Sequence, residues 1–306
     1  MCDVWKNNRE LDELPARLVE KHKSDLQRLE IKRVILTGGE PLMHGNLWRI
    51  CRIFKDLGIH ITLESSGLLL SDHAAEIVEW VDTVVVPLEG TESVHDRIRN
   101  SPGAYRRLAE GVRQIRDIDQ DQAIIARSVV QKINYPYLPE IIAAAGDLQL
   151  DGIELVPIDV QTRGYNLPET IPDERLQELR LRSVDVLIFN SIIDRIRKDF
   201  SEELEIGFIR GGILSLLRLV DAFDRSLSSL SSHDIQCNVP WHSVVIDATG
   251  RVKPCPFHRS LGSIRKNGLR DILNSPEAIS FRENLDPSTD PICTGCTAQK
   301  MFDPSD

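Results

Sequence analysis

Four of the six cysteines in this 306-residue sequence fall in its last 70 residues: Cys237, Cys255, Cys293 and Cys296. Cys237 is followed by twelve residues, Gly250, four residues and Cys255, and Cys293 and Cys296 form a Cys-x2-Cys pair in "PICTGCT". Four soft thiolates drawn from a hairpin and a short loop make a tetrahedral sulfur site suited to zinc or to an iron–sulfur cluster. Spacing alone leaves those two open. A second chemistry-bearing stretch is "TGGEPLM", Thr37 to Met43. Gly38 and Gly39 let the backbone approach a ligand closely, Glu40 adds a carboxylate, and Pro41 stiffens the turn while giving up a donor.

The elements that must position these groups have a clear rhythm. Short β-branched runs at 34–39, 59–67, 82–90, 123–131 and 152–159 alternate with helical patterns. Five strands alternating with helices are the pattern of a parallel sheet in an α/β fold. In such folds ligands sit at the carboxyl ends of the strands, where Gly, Ser, Glu and Asp collect in this sequence. Residues 10–30 read as one exposed amphipathic helix, and 172–230 as two long helical segments forming a linker and covering layer. "HSVVIDATGRVKPC" reads as a β-hairpin turning at Asp-Ala-Thr-Gly.

Composition narrows the function classes. Apolar residues at 41% and charged residues at 27% are ordinary for a globular chain. A net charge of −10 disfavours nucleic acid as a main partner. No run reaches the roughly 18 apolar residues of a membrane span, and no signal peptide precedes the first helix, so no membrane association and a cytoplasmic location are expected.

"GGEP" after an early strand, together with "MCDVW" at the start, resembles the motifs of radical S-adenosylmethionine (radical SAM) enzymes. In that superfamily a Cys-x3-Cys-x2-Cys loop after the first strand holds a [4Fe–4S] cluster, and Cys2 matches its third cysteine. The first two cysteines and the strand before them are missing from the sequence. A start codon placed too late, or a fragment, is the expected reason, with true degeneration as the alternative. The resemblance implies a partial (β/α)6 TIM-like barrel, its first strand missing. It also implies S-adenosylmethionine (AdoMet) binding by Gly38, Gly39, Glu40 and Pro41. "LESSG" resembles the segment near the cofactor ribose, pointing to Ser66 and Glu64. In "VPLEGTESVHDRIRN", Pro87 stands where the family usually has serine and Glu89 where it has aspartate. Arg127 is a candidate for the cofactor carboxylate, and His95, Asp96 and Arg97 read as structural.

The last 70 residues are similar to the SPASM/twitch extensions of the same superfamily, which bind auxiliary [4Fe–4S] clusters. That similarity assigns Cys237, Cys255, Cys293 and Cys296 to one auxiliary cluster. The implied division is 1–170 for the barrel, 171–232 for the helical linker and 233–306 for the cluster domain. The implied activity is oxidoreductase- or maturase-type: reductive cleavage of AdoMet to a 5′-deoxyadenosyl radical and hydrogen abstraction from a small molecule or peptide. The auxiliary cluster would then act as electron acceptor or substrate ligand. A flavodoxin- or ferredoxin-type electron donor is implied, and ribosomal-peptide maturation is slightly disfavoured because no peptide-binding domain precedes the barrel. The competing readings are an iron–sulfur carrier or scaffold and a zinc-stapled binding protein. Cys51 is expected in the core and Trp241 packed over the auxiliary site. His60, His73 and His258 are without nameable partners. Glu89, Glu154 and Asp159 are candidate bases at strand ends.

Overall fold

The computed structural model describes residues 12–160, 173–227 and 237–296. Its main body is a five-stranded parallel sheet in the order β1 (Arg33–Leu36), β2 (His60–Glu64), β3 (Thr83–Pro87), β4 (Ala123–Val130) and β5 (Gly152–Pro157). Sequential order without a reversal is the winding of a barrel wall, each crossover being a helix. All five expected strands are present; β1, β2 and β3 stop before the glycine or serine ends of their runs, and β4 and β5 stop one and two residues early. Ile61, Leu63, Val84, Val86, Ile124 and Ala126 are fully buried. Fully burying a Val, Leu or Ile side chain contributes about 2 kcal/mol apiece. The helices Leu47–Lys55, Ala104–Ile118 and Leu138–Asp147 add Ile50, Leu108, Ile115, Ile141 and Ile142 to the same core.

Beyond β5 the sheet gains one short contact. Ile209 bridges Ile153 in parallel: the Ile153 amide donates to Phe208 O (2.7 Å) and the Arg210 amide to Ile153 O (2.8 Å). The segment read as a linker therefore supplies a one-residue sixth strand. Its helices are Asp173–Leu179, Ser183–Asp199, Ser201–Glu205 and Gly212–Leu227, more numerous than the two expected. The first break falls where Asp185 accepts from the Arg182 amide (2.8 Å), capping a new helix.

The expected single helix over 10–30 is corrected to two, Ala16–Lys21 and Lys23–Arg28, divided at His22. His22 is buried and its Nε2 lies 2.7 Å from Ile264 O. The chain breaks there because that ring is tied to a residue far along the sequence. Ile264 belongs to the small C-terminal unit, an antiparallel sheet of β6 (Val245–Ile246), β7 (Arg251–Lys253) and β8 (Gly262–Ser263). The hairpin turns as expected. Asp247 Oδ1 accepts from the amides of Thr249 and Arg251 (both 3.0 Å), and Gly250 takes φ +82°, a conformation that favours glycine.

Candidate active site and auxiliary metal centre

Along β4, Ile124, Ala126, Ser128 and Val130 are buried while Ile125, Arg127 and Val129 are partly accessible. One sheet face is thus sealed into the core and the other left open. Arg127 lies on the open face, in register with Pro87 on β3 and Glu154 on β5. Its Nε donates to Glu154 Oε2 (2.7 Å), and its Nη1 reaches over β3 to Glu64 Oε1 on β2 (2.6 Å). Burial opposes its charge, but the two carboxylates outweigh that and hold the guanidinium more firmly protonated than usual. Pro87 leaves no side-chain donor or acceptor between Arg127 and Glu64.

At the end of β1 the backbone passes through Gly38 (φ +152°) and Gly39 into the 3-10 turn Pro41–Met43. A Cβ added at either glycine would meet nothing within 4 Å, so both border open space. Glu40 secures the rim of that space. Its Oε1 accepts from the Leu42 amide (3.1 Å) and the Ser65 hydroxyl (3.0 Å), and its Oε2 from the Ser66 amide (2.7 Å) and the Ser66 hydroxyl. The loops after β1 and β2, which carry the candidate residues Gly38, Gly39, Glu40, Pro41 and Ser66, are therefore tied together by one carboxylate. Pro41 is buried beneath them.

After β3, Glu89 is buried, and burial pushes its carboxyl up to about 7. It accepts from the Val129 amide (2.9 Å), with Arg99 Nη1 at 3.9 Å. The Glu89 amide donates to Nδ1 of buried His95 (3.2 Å), whose pKa burial pushes down to about 4, so the ring is a neutral acceptor at neutral pH. Asp96 accepts from the amides of Gly103 (2.6 Å) and Tyr105 (2.9 Å). Both side chains thus fix the loop and helix starts that follow β3.

In the C-terminal unit Cys255 follows β7 and is buried, Cys237 is half-buried, and Cys293 lies in the single turn Pro291–Thr294 with Cys296 just beyond it. None of the four is disulfide-bonded. Asp290 starts that turn, its Oδ1 accepting from the amides of Ile292 (2.8 Å) and Cys293 (3.0 Å). Burial, Asp290, Cys255 and Cys237 together push the Cys293 thiol up to about 12, and burial raises Cys255 as well. Thiols kept protonated by burial lose their protons only when a cation binds the sulfur and offsets the thiolate charge. His258, Asp290 and Cys293 bring ligand atoms within 4.8 Å of one another.

Two expectations, those for His258 and His60, need correcting. His258 has partners: its Nε2 lies 3.6 Å from Cys293 Sγ and 3.9 Å from Asp290 Oδ1, and its ring packs edge-on against Phe281. His60 Nε2 meets Thr83 Oγ1 at 3.1 Å. Trp241, expected to pack over the auxiliary site, is 45% exposed. Cys51 is fully buried in the core as expected, its thiol raised to about 12 by burial. Cys2 lies outside the described residues.

Comparisons with known proteins decide the family. The Radical SAM superfamily model matches residues 1–145, and the SPASM model, an iron–sulfur cluster-binding domain, matches 237–297. An AdoMet-dependent heme synthase of Methanosarcina barkeri is 33% identical over 295 residues, covering 87% of this chain and 77% of that protein. The chain belongs to the radical SAM superfamily. A PqqA peptide cyclase of Bradyrhizobium diazoefficiens is 28% identical over 54% of this chain, which spans only 44% of the cyclase. Among solved structures, anSMEcpe with bound AdoMet and Cp18Cys peptide aligns with TM-score 0.61 at 13% identity, over 88% of this chain and 74% of that one. Streptococcus suis SuiB bound to the precursor peptide SuiA gives 0.61 at 13% identity, over 94% and 65%. At those identities the structures show the fold, a TIM-like barrel with a small C-terminal domain.

A radical SAM protein with a SPASM domain carries an AdoMet-binding [4Fe–4S] cluster, AdoMet and an auxiliary [4Fe–4S] cluster. The open space beside Gly38 and Gly39, rimmed by Glu40 and Ser66, fits the small molecule. The C-terminal thiols fit the auxiliary cluster in donor chemistry. Among the described residues, no grouping of three metal-ligating side chains lies beside Gly38–Pro41.

Proposed function

We propose that this chain is an AdoMet-dependent oxidoreductase or maturase. AdoMet binds at the ends of β1 and β2, and substrate lies on the open face of the sheet. The observation that carries this reading is the Glu40 tie, which holds two loops around unfilled space at the carboxyl edge of a parallel sheet. When bound, the cofactors supply one-electron cleavage of AdoMet and hydrogen-atom abstraction from a substrate carbon. Gly38 and Gly39 offer main-chain polar groups to AdoMet, while Glu40 and Ser66 hold the rim. Arg127 has an Nη2 for an anionic group of cofactor or substrate. Cys237, Cys255, Cys293 and Cys296 hold the auxiliary cluster, which serves as electron acceptor or substrate ligand, and Cys2 serves the AdoMet-binding cluster.

The same reading divides the chain at about 170 and 232, supported by the gap between the two family matches. Cysteines outside any disulfide and a low-potential cluster suit a reducing cytoplasm with a flavodoxin or ferredoxin as donor. Among the described residues no helix is long and apolar enough to cross a membrane. Of the substrate classes named for the relatives, a tetrapyrrole is favoured over a peptide, because the heme synthase match extends over most of both chains.

The test is anaerobic reconstitution with iron and sulfide of a form carrying all three cysteines of the Cys-x3-Cys-x2-Cys loop, addition of AdoMet and a strong reductant, and measurement of 5′-deoxyadenosine. Product that rises with a tetrapyrrole carboxylate and not with peptides supports the whole reading. Absence of 5′-deoxyadenosine from protein that has loaded both clusters overturns it. A second reading, a zinc-stapled binding protein, draws on the nitrogen, oxygen and sulfur donors of His258, Asp290 and Cys293. It predicts colourless protein containing zinc.

A further inference from the structure

We infer that His258 is a positioning residue of the auxiliary site: its Nε2–H donates a hydrogen bond to the Cys293 sulfur and raises the reduction potential of the cluster held there. This rests on the reading that the four C-terminal cysteines hold that cluster. His258 is 93% buried, three residues beyond Cys255. Its ring is fixed by edge-on packing against Phe281, at 5.0 Å between centroids. The Nε2 atom faces two groups, Cys293 Sγ at 3.6 Å and Asp290 Oδ1 at 3.9 Å. A carboxylate and a metal-bound thiolate are both acceptors, so the tautomer that satisfies them carries its proton on Nε2. Asp290 strengthens this choice from behind, because the same Oδ1 that faces the ring also holds the Cys293 amide. Cys293 is thus gripped at its backbone by Asp290 and at its sulfur by His258. A hydrogen bond to a cluster sulfur stabilises the more negative, reduced form. Four cysteines already satisfy four irons, which leaves the imidazole a donor to sulfur rather than a ligand to metal.

The test uses the full chain carrying Cys2→Ala, so that the signal comes from the C-terminal site alone. It is reconstituted with iron and sulfide and labelled with 15N-histidine. Pulsed electron paramagnetic resonance of the reduced cluster should show weak coupling to one nitrogen, absent in His258→Phe, which keeps a ring against Phe281. Potentiometric titration should show the one-electron reduction of His258→Phe about tenfold less favourable, a fall of about 59 mV. His258→Gln, which restores a donor, should recover part of it. Equal potentials with no nitrogen coupling overturn the inference. Strong coupling, the mark of a directly ligating nitrogen, also overturns it in favour of a metal ligand. Should His258→Phe fail to fold, the coupling in the parent and the potential of His258→Gln decide. If the parent assembles no C-terminal cluster, the ligand reading fails and the inference falls with it. A cluster without nitrogen coupling sinks the inference alone.

Discussion

The two chemistry-bearing regions are built on opposite principles. At the carboxyl edge of the sheet the side chains that shape the site already have protein partners: Glu40 satisfies two amides and two hydroxyls, and Arg127 on β4 spans two carboxylates. In the C-terminal unit burial, with Asp290 beside them, holds the thiols of Cys255 and Cys293 back from ionising. The first region is preorganised by hydrogen bonds, so a ligand arrives at a finished shape. The second is an unfinished charge arrangement that a metal completes. Backbone content follows the same division: a five-stranded sheet supports the first, and strands of two or three residues the second.

The largest effect that could break this contrast is metal removal. Chelation, or Cys293→Ser, should strip the C-terminal unit of its metal and of most amide-exchange protection over 237–296. Structural metal sites contribute on the order of 10 kcal/mol. Amides of β2 to β4 should stay protected. If both regions lose protection together, the contact of His22 with Ile264 couples them into one cooperative unit and the contrast fails.

The converse comes next in size. Glu40→Ala leaves the amides of Leu42 and Ser66 and two serine hydroxyls without their acceptor, costing about 2–4 kcal/mol. Calorimetry should show AdoMet affinity reduced by at least tenfold, with the C-terminal metal content unchanged. An unaltered affinity would mean that the rim does not shape the cofactor space.

How much of this was legible follows from the range of each interaction. The strands over 34–159 were readable because β-branched runs bounded by glycine are local signals, and "TGGEP" placed its glycines at the strand end where the structure has them. The single helix over 10–30 failed at His22, whose partner Ile264 is 242 residues away. His258 looked solitary because Cys293 is 35 residues away, in the separate turn Pro291–Thr294. Arg127 was singled out by type, yet its hold on Glu64 and Glu154 depends on register across four strands, which no local pattern encodes. The bridge at Ile209 is one residue long, too short to leave a periodicity.

Glu89 sharpens the contrast on the protein-organised side. Its folded pKa is raised from 4.5 to about 7. Below about pH 4.5 it is neutral in both states and costs nothing. Between 4.5 and 7 the unfolded chain ionises first, so stability falls as pH rises, and above 7 the loss is constant. Glu89→Gln keeps an acceptor for the Val129 amide and removes that loss. Its advantage over the parent should therefore grow from pH 4.5 to 7, towards a ceiling of about 3 kcal/mol, when measured by urea unfolding. His95, with its pKa lowered to about 4, acts oppositely: it loses stability as pH falls from 6.5 towards 4, in parent and variant alike. A pH-independent difference would mean that Glu89 is solvated.

The smallest effect separates scaffold from binding. Arg127→Met removes two ion pairs whose side chains are 25–41% exposed. Solvent screening reduces each to a fraction of its contact value, so stability should fall by only about 1 kcal/mol. If Arg127 merely spans Glu64 and Glu154, AdoMet affinity should fall no further than the loosened sheet edge allows, within about twofold. If its Nη2 holds an anionic group, affinity should drop by tenfold or more at the same small cost in stability, because a charge-assisted bond contributes about 1.5–3 kcal/mol. Melting and calorimetry on one variant thus place Arg127 either with the hydrogen-bonded frame, as Glu40 is placed, or among the groups that a ligand completes.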